Sequence, residues 1–269
     1  MQGGSAKSLS KVLDKTNALL SDGADATALG EDLFAMTLTL DRRHSLRRAL
    51  TEPVVPVEAK SRLLRSLVEG KLGDPAIEVI EEAAGTRWSG SRDLADALEE
   101  ASVGAHVARA DSEGRLDDLE DSLFRFARIV EGNAELREAL TDRAAPYDGK
   151  RALVQDLVGD KVEPSTAALL QQAVAGRHRS LPAVLAQYQR IAANRRDSMI
   201  ATVWVASPLS EEHRERLTRA LSAQHDKDIH LNVIIDPEVL GGVRVAVGDE
   251  LLDSTVEARL KQAQRRLEH

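Results

Sequence analysis

The chain has 269 residues, no cysteine, 3% aromatic residues and a formal net charge of -8 at pH 7. The length asks for two or three domains, and the acidic balance with few aromatics argues against nucleic acid as a partner. The lack of thiols excludes disulfides and fits a reducing compartment. No apolar run approaches the roughly 20 residues of a bilayer span, and Met1-Gln2-Gly3-Gly4 does not open a signal peptide, so any membrane association is expected to run through another protein.

In chain order the first elements are helices. Leu9, Val12, Leu13, Leu19 and Leu20 share a helical spacing over residues 8–22, and Ser21-Asp22-Gly23 breaks it. A second helix is expected over 26–40, with Leu29, Leu33, Phe34 and Met36 inside. Shorter ones follow over 45–50, 57–68 and 74–84, and another runs from Arg92 past Val107. Pro53, Pro56 and Pro75 fall at their boundaries, where a missing N–H does no harm.

The pattern then repeats. Leu33-Phe34 returns as Leu123-Phe124, an offset of 90 residues, and without a gap Ala49-Leu50-Thr51 returns as Ala139-Leu140-Thr141. Pro56, Lys60, Leu63, Leu67-Val68, Lys71 and Arg87 fall on Pro146, Lys150, Leu153, Leu157-Val158, Lys161 and Arg177. One helical unit is used twice, each copy with its own core, and the period is too long for a solenoid. The expectation is two tandem, separate all-α bundles of about six helices each, over 1–102 and 103–196.

After Arg196 the period shortens. Ile200, Thr202 and Trp204 alternate with Ala201, Val203 and Val205 in a strand that Ser207-Pro208 ends. Ser210 with Glu211 and Glu212 opens a helix whose Leu217 and Leu221 face the sheet. Leu231–Ile235 and Val243–Val247 are two further strands. Between them lie Asp236-Pro237 and Gly241-Gly242, and Gly248-Asp249 is a turn signal. A last helix is expected after Asp253, with Ser254 and Glu257 at capping-box spacing and Val256, Leu260, Ala263 and Leu267 on one stripe. The fold class is therefore α+β and mostly helical, closing in a small three-stranded α/β domain over 197–269.

Nothing in the sequence points to bond chemistry. GxxxxGK[ST], GxGxxG, HExxH and GxSxG are all missing, and the seven histidines show no ligand spacing. Asp249 and Asp253 are explained by turn and capping duties. Trp88 and Trp204 read as core residues, Trp204 alternatively at a domain interface. No catalytic residue, metal, cofactor or small-molecule substrate is expected.

The ordered set Ile235-Asp236, Gly241-Gly242, Val243–Val247, Gly248-Asp249, Leu251-Leu252, Asp253-Ser254 and Arg259-Leu260 resembles the C-terminal signature of the delta (OSCP) subunits of F-type ATP synthases. One departure is the missing Gly after Asp253, which leaves the turn to Ser254. The family has a single helical bundle ahead of this signature; here 103–196 stands in its place, and 1–102 is an extra copy, as in actinobacterial forms. The resemblance implies a non-catalytic peripheral-stalk subunit that ties the alpha/beta head to the b subunit against rotor torque, peripheral on the cytoplasmic face of the cell membrane. It implies that the helical domain grips N-terminal helices of alpha, a role placed on Leu123, Phe124, Phe126, Ile129 and Val130. It implies that the C-terminal domain contacts the far end of the b helix; the charge of Arg259, Lys261, Arg265 and Arg266 assigns that contact to the last helix, against an acidic helix of b. The alternative is a helical-repeat scaffold or regulatory adaptor unrelated to ATP synthase, which has no reason to carry the signature.

Overall fold

The computed structural model describes residues 4–253 except 179, 226, 238, 240, 248 and 249. The chain divides into two compact units, Met1–Arg195 and Arg196–His269. The expected helix after Asp253, with Ser254, Val256, Glu257, Arg259, Leu260, Lys261, Arg265 and Arg266, lies outside the described residues, as do Gly248 and Asp249.

The first unit runs through α1 (Gly4–Ser21), α2 (Ala26–Arg42), α3 (His44–Thr51), α4 (Val57–Val68), α5 (Asp74–Gly85) and α6 (Ser91–Ser112), then α7 (Leu116–Gly132), α8 (Ala134–Thr141), α9 (Tyr147–Val158), α10 (Pro164–Ala173) and α11 (Leu181–Asp197). The boundaries have local causes. Asp25 caps α2 by accepting from the Thr27 and Ala28 N–H groups, and Glu163 does the same for Ser165 and Thr166 at the start of α10. Gly23 and Gly114, both at positive φ, end α1 and α6. The N–H groups one residue beyond them reach back to the carbonyls of Leu19 and Ala110, the left-handed helix stop.

The repeat is reproduced helix by helix. Shifting α2, α3 and α4 by the sequence offset gives the ends of α7, α8 and α9, and α5 and α6 begin where α10 and α11 predict. The cores match as well: Leu33 and Leu123, Leu50 and Leu140, Leu64 and Val154, and Ile80 and Leu170 are all fully or almost fully buried. The two helical copies are not separate, however: both fall within the one compact unit Met1–Arg195. Shifting α1 by the same offset lands inside α6, so α6 is both the sixth helix of the first copy and the first helix of the second. The physical reason is visible in its composition. Leu94, Ala95, Ala97, Leu98, Ala101 and Ala105 of α6 belong to the first core, while Val103, Val107 and Ala110 belong to the second. A helix apolar on most of its circumference has to be covered on most of its circumference, and small alanines let its neighbours come close.

The second unit holds β1 (Ser198–Val205), α12 (Glu211–His225), β2 (Asp228–Ile235), β3 (Val243–Val247) and β4 (Glu250–Asp253). The sheet order is β2-β1-β3-β4. The three expected strands are present, and Glu250–Asp253 adds a fourth, antiparallel to β3. β1 and β2 are parallel with α12 as the crossover, and β1 and β3 are antiparallel. Ala201, Val203, Val205, Leu221, Ile229, Leu231, Val245 and Val247 form the core. Trp204 is on the other face of β1 and only half-buried, because strict alternation gives the inner face to its neighbours; Trp88 is buried, and its indole N–H donates to the Ala83 carbonyl at 2.8 Å.

Candidate functional site

The densest polar arrangement lies where the two helical copies meet. Glu99 sits in the middle of α6 with its side chain 2% exposed. Its carboxylate accepts from the Arg177 guanidinium and from the Tyr188 hydroxyl at 2.9 Å, and His178 Nε2 is 2.7 Å away. Arg177, itself 2% exposed, also donates to Asp41 of α2 at 2.5 Å and to Asp96 of α6 at 3.0 Å. One guanidinium thus ties α2, α6 and the loop between α10 and α11 together, using its planar fork of donors.

The charges hold each other in place. Burial pushes the Glu99 carboxyl up, but His178 and Arg177 outweigh it and leave it below its ordinary value. The hydrogen bond to Glu99 raises His178, and burial raises Tyr188 well above a free phenol. Arg177 loses to burial and gains more from Glu99 and Asp41.

Beside this cluster, α2 of the first copy lies on α6 and α10 of the second. Ser102 donates to the Gly30 carbonyl at 2.6 Å and contacts Gln172. Phe34 meets Tyr147 edge to face, with ring centroids 6.4 Å apart. His106 is buried against Gly30, and neither ring nitrogen has a hydrogen-bond partner; burial lowers its pKa to about 4.

The residues proposed from the sequence to contact a partner divide into two sets. Leu123, Phe126 and Val130 are core, at 0%, 4% and 0% exposure, because they form the stripe of α7 that faces α10 and α6 and are unavailable to a partner. Phe124 and Ile129, each 57% exposed, stand on either side of that stripe. Leu157 on α9 is also part-exposed. Of the C-terminal signature, Gly241 and Gly242 adopt φ of 67° and 81°, a conformation that favours glycine. The Asp236 N–H donates to the Val205 carbonyl at 2.9 Å, extending the β1–β2 ladder by one bond, and Asp253 is in register with Arg244. The described part of the signature, Ile235-Asp236, Gly241-Gly242 and Val243–Val247, closes β2 and returns the chain as β3.

Among the described residues no group of acids and histidines is placed to hold a metal ion, and no helix is long and apolar enough to cross a membrane.

The family profile described as ATP synthase delta (OSCP) subunit matches residues 104–267. The chain is 42% identical over 269 residues to the ATP synthase subunit delta of Nocardioides sp., covering 99% of this chain and 97% of that one. The chain belongs to the ATP synthase delta (OSCP) subunit family. Similar figures hold for the delta subunit of Streptomyces coelicolor, 42% identical over 99% of this chain and 98% of the relative, and for that of Thermobifida fusca, 42% over 99% of each. A likeness to a chain of the Toxoplasma gondii mitochondrial ATP synthase hexamer, 18% identical with a TM-score of 0.28 over 62% of this chain and 97% of that one, is too slight to carry weight. The profile leaves the first hundred residues unmatched, whereas the delta subunits align through them.

Membership makes the chain a non-catalytic peripheral-stalk subunit of the ATP synthase, and the unrelated-scaffold alternative is not favoured. The charged joint was missed in the sequence. Arg177 was noticed only as the repeat partner of Arg87. Glu99 stands between Leu98 and a second acid, Glu100, with Asp96 one turn before it, so it reads as part of an ordinary polar face, and nothing local marks it as the acid that is buried against a cation.

Proposed function

We propose that the chain links the alpha/beta head to the b subunit through two faces, on the cytoplasmic side of the cell membrane. N-terminal helices of alpha pack against the second helical copy (the bundle assigned to 103–196), at the flanks of α7 marked by Phe124 and Ile129. The mode is helix-in-groove, in which an apolar stripe of the incoming helix covers exposed apolar side chains. The C-terminal domain, 197–269, meets b, with Lys261, Arg265 and Arg266 facing an acidic helix. The first copy, over 1–102, is an added bundle.

The observation that carries this reading is the exposure of Phe124 and Ile129 on a helix whose other large apolar residues are all in the core. An adaptor under torque also gains from stiffness, and α6 supplies it by belonging to both cores at once. The test is titration of a labelled peptide of the alpha N-terminus into the full chain. Phe124→Ser and Ile129→Ser, introduced singly, identify the flank used, since burying one such side chain contributes about 2 kcal/mol. Binding unchanged by both removes the α7 assignment. Charge reversal at Lys261, Arg265 and Arg266 with no loss of b binding removes the second.

A further inference from the structure

The duplication uses one docking contact inside the chain and leaves its counterpart open. In that contact the first copy supplies a helix, α2, and the second copy supplies a seat made by α6, the start of α9, the end of α10 and Arg177. Gly30, Phe34 and Asp41 lie along one face of α2. They meet Ser102, Tyr147 and Arg177.

The offset of the repeat shows where the same seat lies on the first copy. Tyr147, Gln172 and Arg177 correspond to Val57, Glu82 and Arg87, and all three of these line a groove of ≈ 730 Å³ between α1, α4 and α5. Among the described residues none fills it. Arg177 is buried under three carboxylates, whereas Arg87 is exposed.

The chemistry of the floor tells what fits. On α6 the positions facing α2's copy are the buried Ala97, Ala101 and Ala105; on α1 their equivalents are Lys7, Lys11 and Lys15, which also line the groove. Lys15 is paired with Glu78 at 2.6 Å, and Glu81 with Arg65 at 2.7 Å. Among the described residues no ion pair is found for Lys7, Lys11 or Arg87, against Glu82 as the lining carboxylate without one. The groove therefore presents an excess of positive charge around a site whose internal copy already holds a carboxylate on its arginine.

We infer that this groove is a docking site for an acidic amphipathic helix of a partner chain, seated as α2 is seated on the second copy, with a carboxylate on Arg87 and an apolar side chain against Val57. The partner is a different chain and not a second copy of this one. The exposed α7 face that a second copy would offer puts Glu120, Phe124 and Glu131 where α2 has Gly30, Phe34 and Asp41, and a bulky Glu replaces the glycine on which the close approach depends. The inference deepens the stator reading by giving the first copy a partner-binding task.

The probe is a labelled peptide with the sequence of residues 25–43, the one helix shown to occupy such a seat, titrated into the purified full chain by fluorescence anisotropy. Saturable binding is expected, weakened about tenfold by Arg87→Glu or Lys11→Glu and unchanged by Phe124→Ser. A peptide carrying Asp41→Lys should bind the Arg87→Glu chain better than it binds the parent chain. Arg87 and Lys11 are exposed, so circular dichroism and the melting temperature should be unchanged in both variants. Absence of saturable binding, indifference to Arg87→Glu, or loss on Phe124→Ser overturns the site. Self-association of the chain abolished by Arg87→Glu and by Phe124→Ser gives the groove to a second copy and overturns the partner assignment. No ATP synthase is present in this experiment, so a negative result leaves the stator assignment standing.

Discussion

Replacing Arg177 by Met tests whether the charged joint holds the helical copies together. The substitution keeps the aliphatic stem and removes the cation from three carboxylates. Asp41 and Asp96 are 23% and 30% exposed on their side chains, so water can take over much of what the guanidinium supplied there. Glu99, at 2%, has no such recourse and keeps only His178 and Tyr188. Breaking a buried pair by removing one partner costs about 3–5 kcal/mol, and the partial rescue by His178 puts the expectation near the lower end, about 3 kcal/mol. The sequence provides an internal control, because Arg87 is the same residue in the other copy and is exposed; Arg87→Met should shift stability by less than about 0.5 kcal/mol. The assay is urea unfolding at pH 7 by circular dichroism, with hydrogen exchange on the α6 amides around Glu99 to localise the loss. Replacing Glu99 and Arg177 together by Met should recover a large part of the deficit, since no charge is then left buried without its partner. A deficit below about 1 kcal/mol for Arg177→Met alone, or equal effects at Arg87 and Arg177, refutes the argument.

His106 makes the fold acid-sensitive. Its folded-state pKa of about 4 lies below the ordinary 6.5, so between these values the unfolded chain binds the proton and the folded chain does not; stability falls as pH falls, by about 2 kcal/mol at pH 5. His106→Leu should flatten that slope in urea titrations between pH 7 and 5, and an unchanged slope refutes the assignment. Gly30→Ala adds a Cβ only 2.7 Å from His106 Nε2. The clash should outweigh the gain in helix propensity of about 1 kcal/mol and leave a net loss of about 1–2 kcal/mol in the unfolding midpoint, removed by a second change, His106→Ala. Gly241→Ala and Gly242→Ala each force a side chain into left-handed backbone and should cost about 1 kcal/mol apiece, seen as faster hydrogen exchange along β3.

Much of the fold was legible because its signals are local. Helical spacing, proline boundaries and the break at Ser21-Asp22-Gly23 depend on neighbours in sequence, and the ungapped offset between Leu33-Phe34 and Leu123-Phe124 exposed the duplication without any tertiary knowledge. The sharing of α6 was not legible. A helix with Leu94, Leu98, Val103 and Val107 at ordinary spacing reads as amphipathic; only the alanines at 95, 97, 101, 105 and 110 hint that the remaining faces are covered too, and alanine is equally at home on an exposed helix. β4 was missed because Leu251-Leu252 is too short a run to show alternation. The split of the α7 set has a similar origin: Leu123, Phe126 and Val130 share a face with each other and not with Phe124 or Ile129, a difference of helical angle that a list of apolar residues conceals. The joint could not be predicted at all from spacing, because Asp41, Glu99 and Arg177 meet across the chain.

The shared helix explains why the two copies differ where their sequences match. A contact in which one copy supplies a helix and the next supplies a seat is heterologous, and closing it once leaves, among the described residues, one seat and one helix face without their counterpart helix or seat. Had α6 been duplicated as well, a linker would separate the cores, and the copies could turn about it. Fusing them through one helix removes that freedom, and Arg177 pins the contact from the side. The cost is that each end must be made compatible with water, which is the ordinary duty of a terminal repeat: lysines replace alanines along α1, and Glu120 replaces glycine on α7. Lysines alone would serve solubility wherever they stood. Arg87 is different, since it keeps the position of the one residue that clamps the internal contact, and an arginine held at a seat is a reason to look for the carboxylate that it binds.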